Sequence, residues 1–277
     1  MSHNDFNLEK DIFKHDPLIL GEKKFFSRLI IGTGKYADFN IMKKCHETSG
    51  TEMVTVALRR VPLGLNGKNN KLKSIIDYID TQKITLLPNT SGTFSAKEAY
   101  RLAKMAVAMG MRYLKIEVMG DTKTLLPDPI ETLKTVEILR KEFTSEKLFL
   151  MVYTNDDPIM ALKLLNAGAD CIMPAGSPIG SGRGIQNPQN LKMIIDIIKG
   201  KVPIVLDAGI GSPADAALAM EAGASAILLN TAVAKAQNPE AMAKAMRFGW
   251  IAGRLSYIGG RIPQKLYATA SSPEIDF

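Results

Sequence analysis

At 277 residues, with 46% hydrophobic and 23% charged residues, the chain has the composition of a folded protein with a large core, which excludes wholesale disorder. No run approaches the roughly 18–20 uninterrupted apolar residues of a membrane helix, and the opening MSHNDFNLEKDIF lacks the pattern of a secretion signal, so the expected location is cytoplasmic. Cys45 and Cys171 have no CxxC spacing, which argues against a disulfide framework or a structural zinc. The net charge of +7 comes from scattered residues such as Lys23, Lys24, Arg28, Arg59, Arg60 and Lys68, without an aromatic RNA-reading motif. It reads as solvated faces with some attraction for anionic small molecules, with no nucleic acid and no membrane as partner.

Eight short β-rich runs follow one another: Phe26–Ile31, Met53–Leu58, Ile84–Leu87, Tyr113–Val118, Lys147–Tyr153, Cys171–Met173, Pro203–Leu206 and Ala226–Leu229. Each leads through polar or Gly-rich residues into an amphipathic stretch. Helices are expected over Ala96–Met109 (with Thr93 and Ser95 as candidate caps), Ile130–Glu142, Asp157–Asn166, Asn187–Lys199, Ser212–Glu221 and Asn238–Met246. The segments LLNAGADCIMP and AMEAGASAILLN both close a helix with Ala-Gly-Ala and run into a buried strand, with Gly168 and Gly223 as the left-handed end residues. Eight such units of about 30 residues make an α/β fold, a (β/α)8 TIM barrel. The expected organisation is a single barrel domain over residues 1–277, with 1–20 as an N-terminal extension and 267–277 as a loosely ordered tail. Leu18–Leu20 and Phe25–Phe26, joined by a turn, are expected to form a hairpin that plugs the lower end.

In this architecture the chemistry lies at the C-terminal strand ends. In Tyr113–Val118 the period of two turns Leu114, Ile116 and Val118 toward the helices and Lys115 and Glu117 into the barrel. Interior charges are expensive unless paired or used. Two readings stand: a buried ion pair, or an imine-forming lysine with a carboxylate for proton transfer. Burial lowers the lysine pKa while the carboxylate raises it, so composition alone leaves the sign open. Asp207 ends an otherwise apolar strand and is either a second acid–base group or a helix cap. Gly176, Gly180, Gly182 and Gly184 after the sixth strand, Gly209 and Gly211 after the seventh, and Asn230-Thr231 after the eighth suit a phosphate cradle. Gly32-Thr33-Gly34-Lys35 lacks P-loop spacing, His3, His15 and His46 lack catalytic or metal spacing, and Cys171 reads as core. Neither a metal nor a cofactor is expected.

With these residues in place, the sequence resembles the bacterial thiazole synthases, which form the thiazole phosphate of thiamine. The matching motifs run in order: SRLIIGTGKY (27–36), TVALRR (55–60), LPNTSGT (87–93), LKIEV (114–118), LLPDP (125–129), MPAGSPIGSGRGI (173–185), VPIVLDAGIGSP (202–213), ILLNTAVAKA (227–236) and AGR to ASSP (252–273). LPNTSGT stands where the family has an NTAGC-like run, and FGWIAGR replaces a small-residue helix; neither departure falls in the motifs of Lys115, Glu117 or Asp207.

The resemblance implies a sulfur-transferring enzyme. Lys115 would form an imine with the ketone of 1-deoxy-D-xylulose 5-phosphate, and Glu117 and Asp207 would be its acid–base carboxylates. Gly176, Ala208, Gly209, Asn230 and Thr231 would hold the sugar phosphate. A small sulfur-carrier protein with a C-terminal thiocarboxylate would deliver sulfur, and dehydroglycine the remaining carbon and nitrogen. A homotetramer is also implied. The rival readings are another Schiff-base barrel enzyme, of the aldolase or pyridoxal-phosphate-synthase type, and a non-catalytic scaffold subunit.

Overall fold

The computed structural model describes residues 8–60, 74–144 and 147–270. His3, part of the N-terminal extension and residues 271–277 of the tail lie outside the described residues. A short helix, α1 (Leu8–Ile12), precedes an antiparallel hairpin of β1 (Leu18–Leu20) and β2 (Lys23–Phe25). The chain then enters the barrel through β3 (Leu29–Gly32), α2 (Phe39–Ser49) and β4 (Met53–Ala57). There follow β5 (Thr85–Asn89), α3 (Ala96–Ala108), β6 (Tyr113–Ile116), α4 (Pro129–Glu142), β7 (Phe149–Thr154) and α5 (Pro158–Asn166). The last units are β8 (Cys171–Pro174), α6 (Pro188–Ile198), β9 (Val205–Asp207), α7 (Pro213–Glu221), β10 (Ala226–Leu229), α8 (Thr231–Ala234) and α9 (Pro239–Gly259). The eight parallel strands β3–β10 form one sheet in the order β8-β7-β6-β5-β4-β3-β10-β9. Parallel bridges Ile172–Ile204 and Ala175–Asp207 join its two ends and close the barrel.

Five helices begin with the same dipeptide logic: Asp128-Pro129, Asp157-Pro158, Asn187-Pro188, Ser212-Pro213 and Asn238-Pro239. The first residue accepts hydrogen bonds from the opening turn, and proline fits the first helical position because its missing N–H would be unpaired there. Of the two candidate caps before α3, Ser95 is the one that accepts, from Glu98 N. Gly168 and Gly223 have φ of 99° and 102°, as expected from the Ala-Gly-Ala repeats.

Alternation along the strands separates two cores. Leu29, Ile31, Leu114, Ile116, Leu150 and Val152 pack outward against the helices. Ile30, Met53, Leu87, Met151, Cys171 and Val205 fill the interior, where Leu18, Leu20 and Phe25 of the hairpin join them. The Tyr113 hydroxyl donates to the Leu20 carbonyl at 2.8 Å, fixing the hairpin to the barrel floor. Cys171 is therefore core, and burial pushes its thiol pKa well up.

Three expectations need correction. The first barrel strand begins at Leu29 rather than Phe26, because the backbone N–H groups of Phe26 and Ser27 donate to Glu52 Oε2 instead of a ladder. Among the described residues no α-helix lies between β4 and β5; Ile75 and Ile79, in and just after a short 3-10 turn (Ile75–Tyr78), pack with Met42 against Val54 and Val56 of β4. The last helix runs to Gly259, well past Met246. Its extension is anchored by buried Trp250 and by a close crossing over α7: a Cβ on Gly253 would lie 2.2 Å from the Ala217 carbonyl oxygen, so only glycine fits.

Candidate active site

At the C-terminal strand ends a cavity of about 600 Å³ opens, lined among others by Lys115, Glu117, Asp207, Ala208, Gly209, Asn230 and Thr231. Gly176 is not among its lining residues; its carbonyl accepts from Gln186 N, and a Cβ there would meet the Ala208 and Gly184 carbonyls. It shapes the loop behind the cavity wall.

Lys115 lies at the end of β6, Glu117 just beyond it, and Asp207 at the end of β9. All three are buried, and the Lys115 Nζ sits 2.6 Å from Asp207 Oδ2 and 3.1 Å from Glu117 Oε2. The contact with Asp207 is a close ion pair. The ammonium also faces the Tyr153 ring, 5.1 Å from its centroid. Burial alone would lower the lysine pKa, but the charges of Asp207 and Glu117 outweigh it, and Lys115 is held above the ordinary lysine value. The sign that composition left open is thus upward. Asp207 is pushed up to about 6 by burial and by the Glu117 charge, against the pull of Lys115. The resting site therefore holds an ammonium between two acids, with a proton acceptor of moderate affinity touching it.

The backbone of Glu117 is clamped from the loop after β5. Thr90 Oγ1 donates to the Glu117 carbonyl at 2.8 Å and accepts from its N–H at 2.8 Å, and Thr93 Oγ1 donates to the same carbonyl at 2.9 Å. LPNTSGT is thus apart from Glu117 in sequence and against it in space. Nearby, Asn89 Nδ2 donates to Thr55 Oγ1 at 2.7 Å, giving the cavity a second polar wall.

The far end of the cavity is built from loops. After β9 the backbone turns left-handed at Ala208 (φ 70°) and Gly209 (φ 84°). Gly209 lies so close to Ser177 that a Cβ would approach its Oγ to 2.1 Å. Asn230 Nδ2 donates to the Gly34 carbonyl at 2.8 Å, tying the loop after β3 to the start of α8. Lys35 Nζ and Thr231 Oγ1 converge on Gly180, at 3.6 and 3.5 Å from the place a Cβ there would take. Lys35, Asn89, Thr55 and Tyr153 were not singled out as site residues by sequence reasoning. Lys35 sat in a segment without P-loop spacing, and Tyr153 in a strand that reads as plain core. His46 lies on α2 with its Nε2 3.3 Å from the Gly32 carbonyl, and burial lowers its pKa to about 4.

Comparison with known proteins agrees in one direction. The model of the family described as thiazole biosynthesis protein ThiG matches residues 19–273. A thiazole synthase of Geotalea uraniireducens is 50% identical over 260 residues, covering 93% of this chain and 96% of that protein. One from Aliarcobacter butzleri is 51% identical over 264 residues, covering 94% and 97%. Among solved structures, a chain of the Amycolatopsis orientalis BexX/CysO complex superposes with a TM-score of 0.77 at 31% identity, covering 91% of this chain and 99% of that one. Mandelate oxidase, at 15% identity and a TM-score of 0.59, shares the barrel fold alone.

Proposed function

The chain belongs to the thiazole synthase family, and from that membership we propose that Lys115 is the residue that forms an imine with 1-deoxy-D-xylulose 5-phosphate. The observation that carries this reading is the Lys115 ammonium held between Asp207 and Glu117 at the inner end of the cavity. An ammonium cannot attack a ketone, so the first event is proton transfer from Nζ to Asp207 Oδ2, its nearest oxygen at 2.6 Å. The free amine adds to the carbonyl carbon, and Asp207 returns the proton to the departing hydroxyl, which leaves as water. The imine draws electrons from the neighbouring carbon, whose proton is then within the reach of a carboxylate, Glu117 or Asp207.

The phosphate belongs at the Gly180, Gly209, Asn230 and Thr231 end, where Lys35 adds a cation. Asn230 makes no side-chain cap to α8, so the first N–H groups of that turn are available to an anion. Anchoring the phosphate there holds the reacting carbon over Lys115 with binding energy remote from the chemistry. Dehydroglycine and a thiocarboxylated sulfur-carrier protein complete the proposed reaction. A two-protein complex of a solved relative supports a protein partner. A homotetramer is proposed as well, supported by exposed Phe248, Leu255 and Ile258 on α9. A single barrel domain and a cytoplasmic setting belong to the same reading; no described helix is long and apolar enough to cross a membrane.

The test is borohydride reduction in the presence of 1-deoxy-D-xylulose 5-phosphate, read by intact mass and peptide mapping. An adduct on Lys115, absent from Lys115→Ala, is expected. An adduct on another lysine, or none on folded protein, overturns the reading.

A further inference from the structure

Tyr153 lies on β7, beside the strand that carries Lys115, and is fully buried. Register pairs Lys115 with Met151, so Tyr153 stands one pleat higher, level with Glu117. Its ring faces the Lys115 ammonium, and Met119, Ala175 and Ala208 pack around it. Its hydroxyl finds no hydrogen-bond partner among the described residues, and the same is true of Asp207 Oδ2 apart from its ion pair with Lys115. A buried phenol oxygen without a partner is a standing cost that phenylalanine at the same place would not carry. The site thus holds a buried donor without a partner within electrostatic reach of an acceptor that depends on one ammonium.

We propose that Tyr153 is a positioning residue for Asp207. When the Lys115 nitrogen is carried into the imine, the Tyr153 O–H donates to the freed Asp207 Oδ2 and keeps that carboxylate ionised and aimed at the carbon beside the imine. The inference rests on the imine reading of Lys115. In the step it serves, Asp207 takes the carbon-bound proton, the C–H electron pair moves toward the imine nitrogen to give an enamine, and nothing is oxidised or reduced. Asp207 meets Lys115 and Glu117 from β6, Tyr153 from β7 and the Cys171 thiol from β8. Burial and Glu117 drive it toward protonation, and once the ammonium is consumed the phenol is the neutral donor left to oppose them.

The experiment compares wild type with Tyr153→Phe in three readouts. Borohydride trapping reports imine formation, solvent deuterium uptake into 1-deoxy-D-xylulose 5-phosphate reports proton removal, and thermal melting reports the fold. Tyr153→Phe is expected to trap on Lys115 within about twofold of wild type, to exchange about tenfold more slowly at neutral pH, and to move the acid limb of exchange up by about one pH unit. It should melt no lower than wild type, and in an Asp207→Asn background it should change exchange no further. Exchange unchanged in rate and pH dependence overturns the proposal, as does a loss of trapping accompanied by a lower melting temperature. Absence of any adduct in wild type overturns the imine reading and this inference with it, whereas normal trapping with unchanged exchange overturns this inference alone.

Discussion

Thr93 Oγ1 donates to the carbonyl oxygen of Glu117 at 2.9 Å, across the gap between β5 and β6. Thr90 binds the same residue at both its N–H and its carbonyl. Glu117 lies just beyond the last paired residue of β6, where no ladder holds it, so these hydroxyls set the direction of its carboxylate. Thr93→Val keeps the shape and removes the donor. It should cost about 1 kcal/mol of stability and lower turnover by a larger factor than it raises KM. Equal turnover in steady-state assays would show that Thr90 alone suffices.

Lys115→Ala should remove the trapped adduct and also damage the fold in a pH-dependent way. Without the ammonium, Glu117 and Asp207 are left as neighbouring buried acids, a loss of about 3–5 kcal/mol near neutral pH. Once the pH is low enough for Asp207 to take up its proton, the repulsion disappears. Denaturant titrations should therefore find the variant closer to wild type in acid than at neutral pH. A constant deficit at both would contradict the ion-pair geometry.

Asp207 itself sets a sign. Its pKa rises from an unfolded value of 3.8 to about 6 in the fold, so the native state binds that proton more tightly. The associated stabilisation is fully present below the unfolded value and is lost as pH rises through the folded one. Asp207→Asn should flatten this part of the stability-versus-pH curve. On the proposed imine reading, the same value places the acid limb of adduct trapping near pH 6 rather than in the ordinary carboxylate range. Trapping rates measured across that window, with an acid limb at ordinary carboxylate pH, would contradict this assignment.

At the proposed phosphate end, Lys35→Ala should raise KM for the proposed sugar phosphate on the order of tenfold with little change in kcat, since the reading gives its cation an anchoring role and no bond to change. Gly209→Ala tests the cradle itself. With φ at 84° and Ser177 Oγ in the way, a methyl group there should lower stability by about 2–3 kcal/mol and weaken phosphate binding. Isothermal titration with inorganic phosphate and a melting curve would report the two effects separately.

Much of this was legible before the fold was known. The alternation of strands and helices gave the barrel, because a buried parallel strand and an amphipathic helix leave different periods. Lys115 and Glu117 stood out because period two turns both toward an interior that tolerates charge poorly, and Asp207 because it ends an apolar run. What stayed hidden has no periodic trace. Thr90 and Thr93 act on a backbone atom, and nothing in LPNTSGT says which one. Tyr153 reads as core because its importance depends on a lysine from another strand. The glycines at 249 and 253 look like poor helix residues, yet they let α9 approach Pro213 and Ala217 of α7 and continue. The turn covering β4 has too few residues to produce a helical period.

The β1–β2 hairpin gives the chamber a sealed floor, with Leu18, Leu20 and Phe25 among the interior side chains. Among the described residues the chamber is stopped at the bottom and opens at the C-terminal strand ends, so traffic enters from one side. On the proposed imine reading of Lys115, the sugar phosphate sits deepest and is loaded first, and the later reactants stack above it.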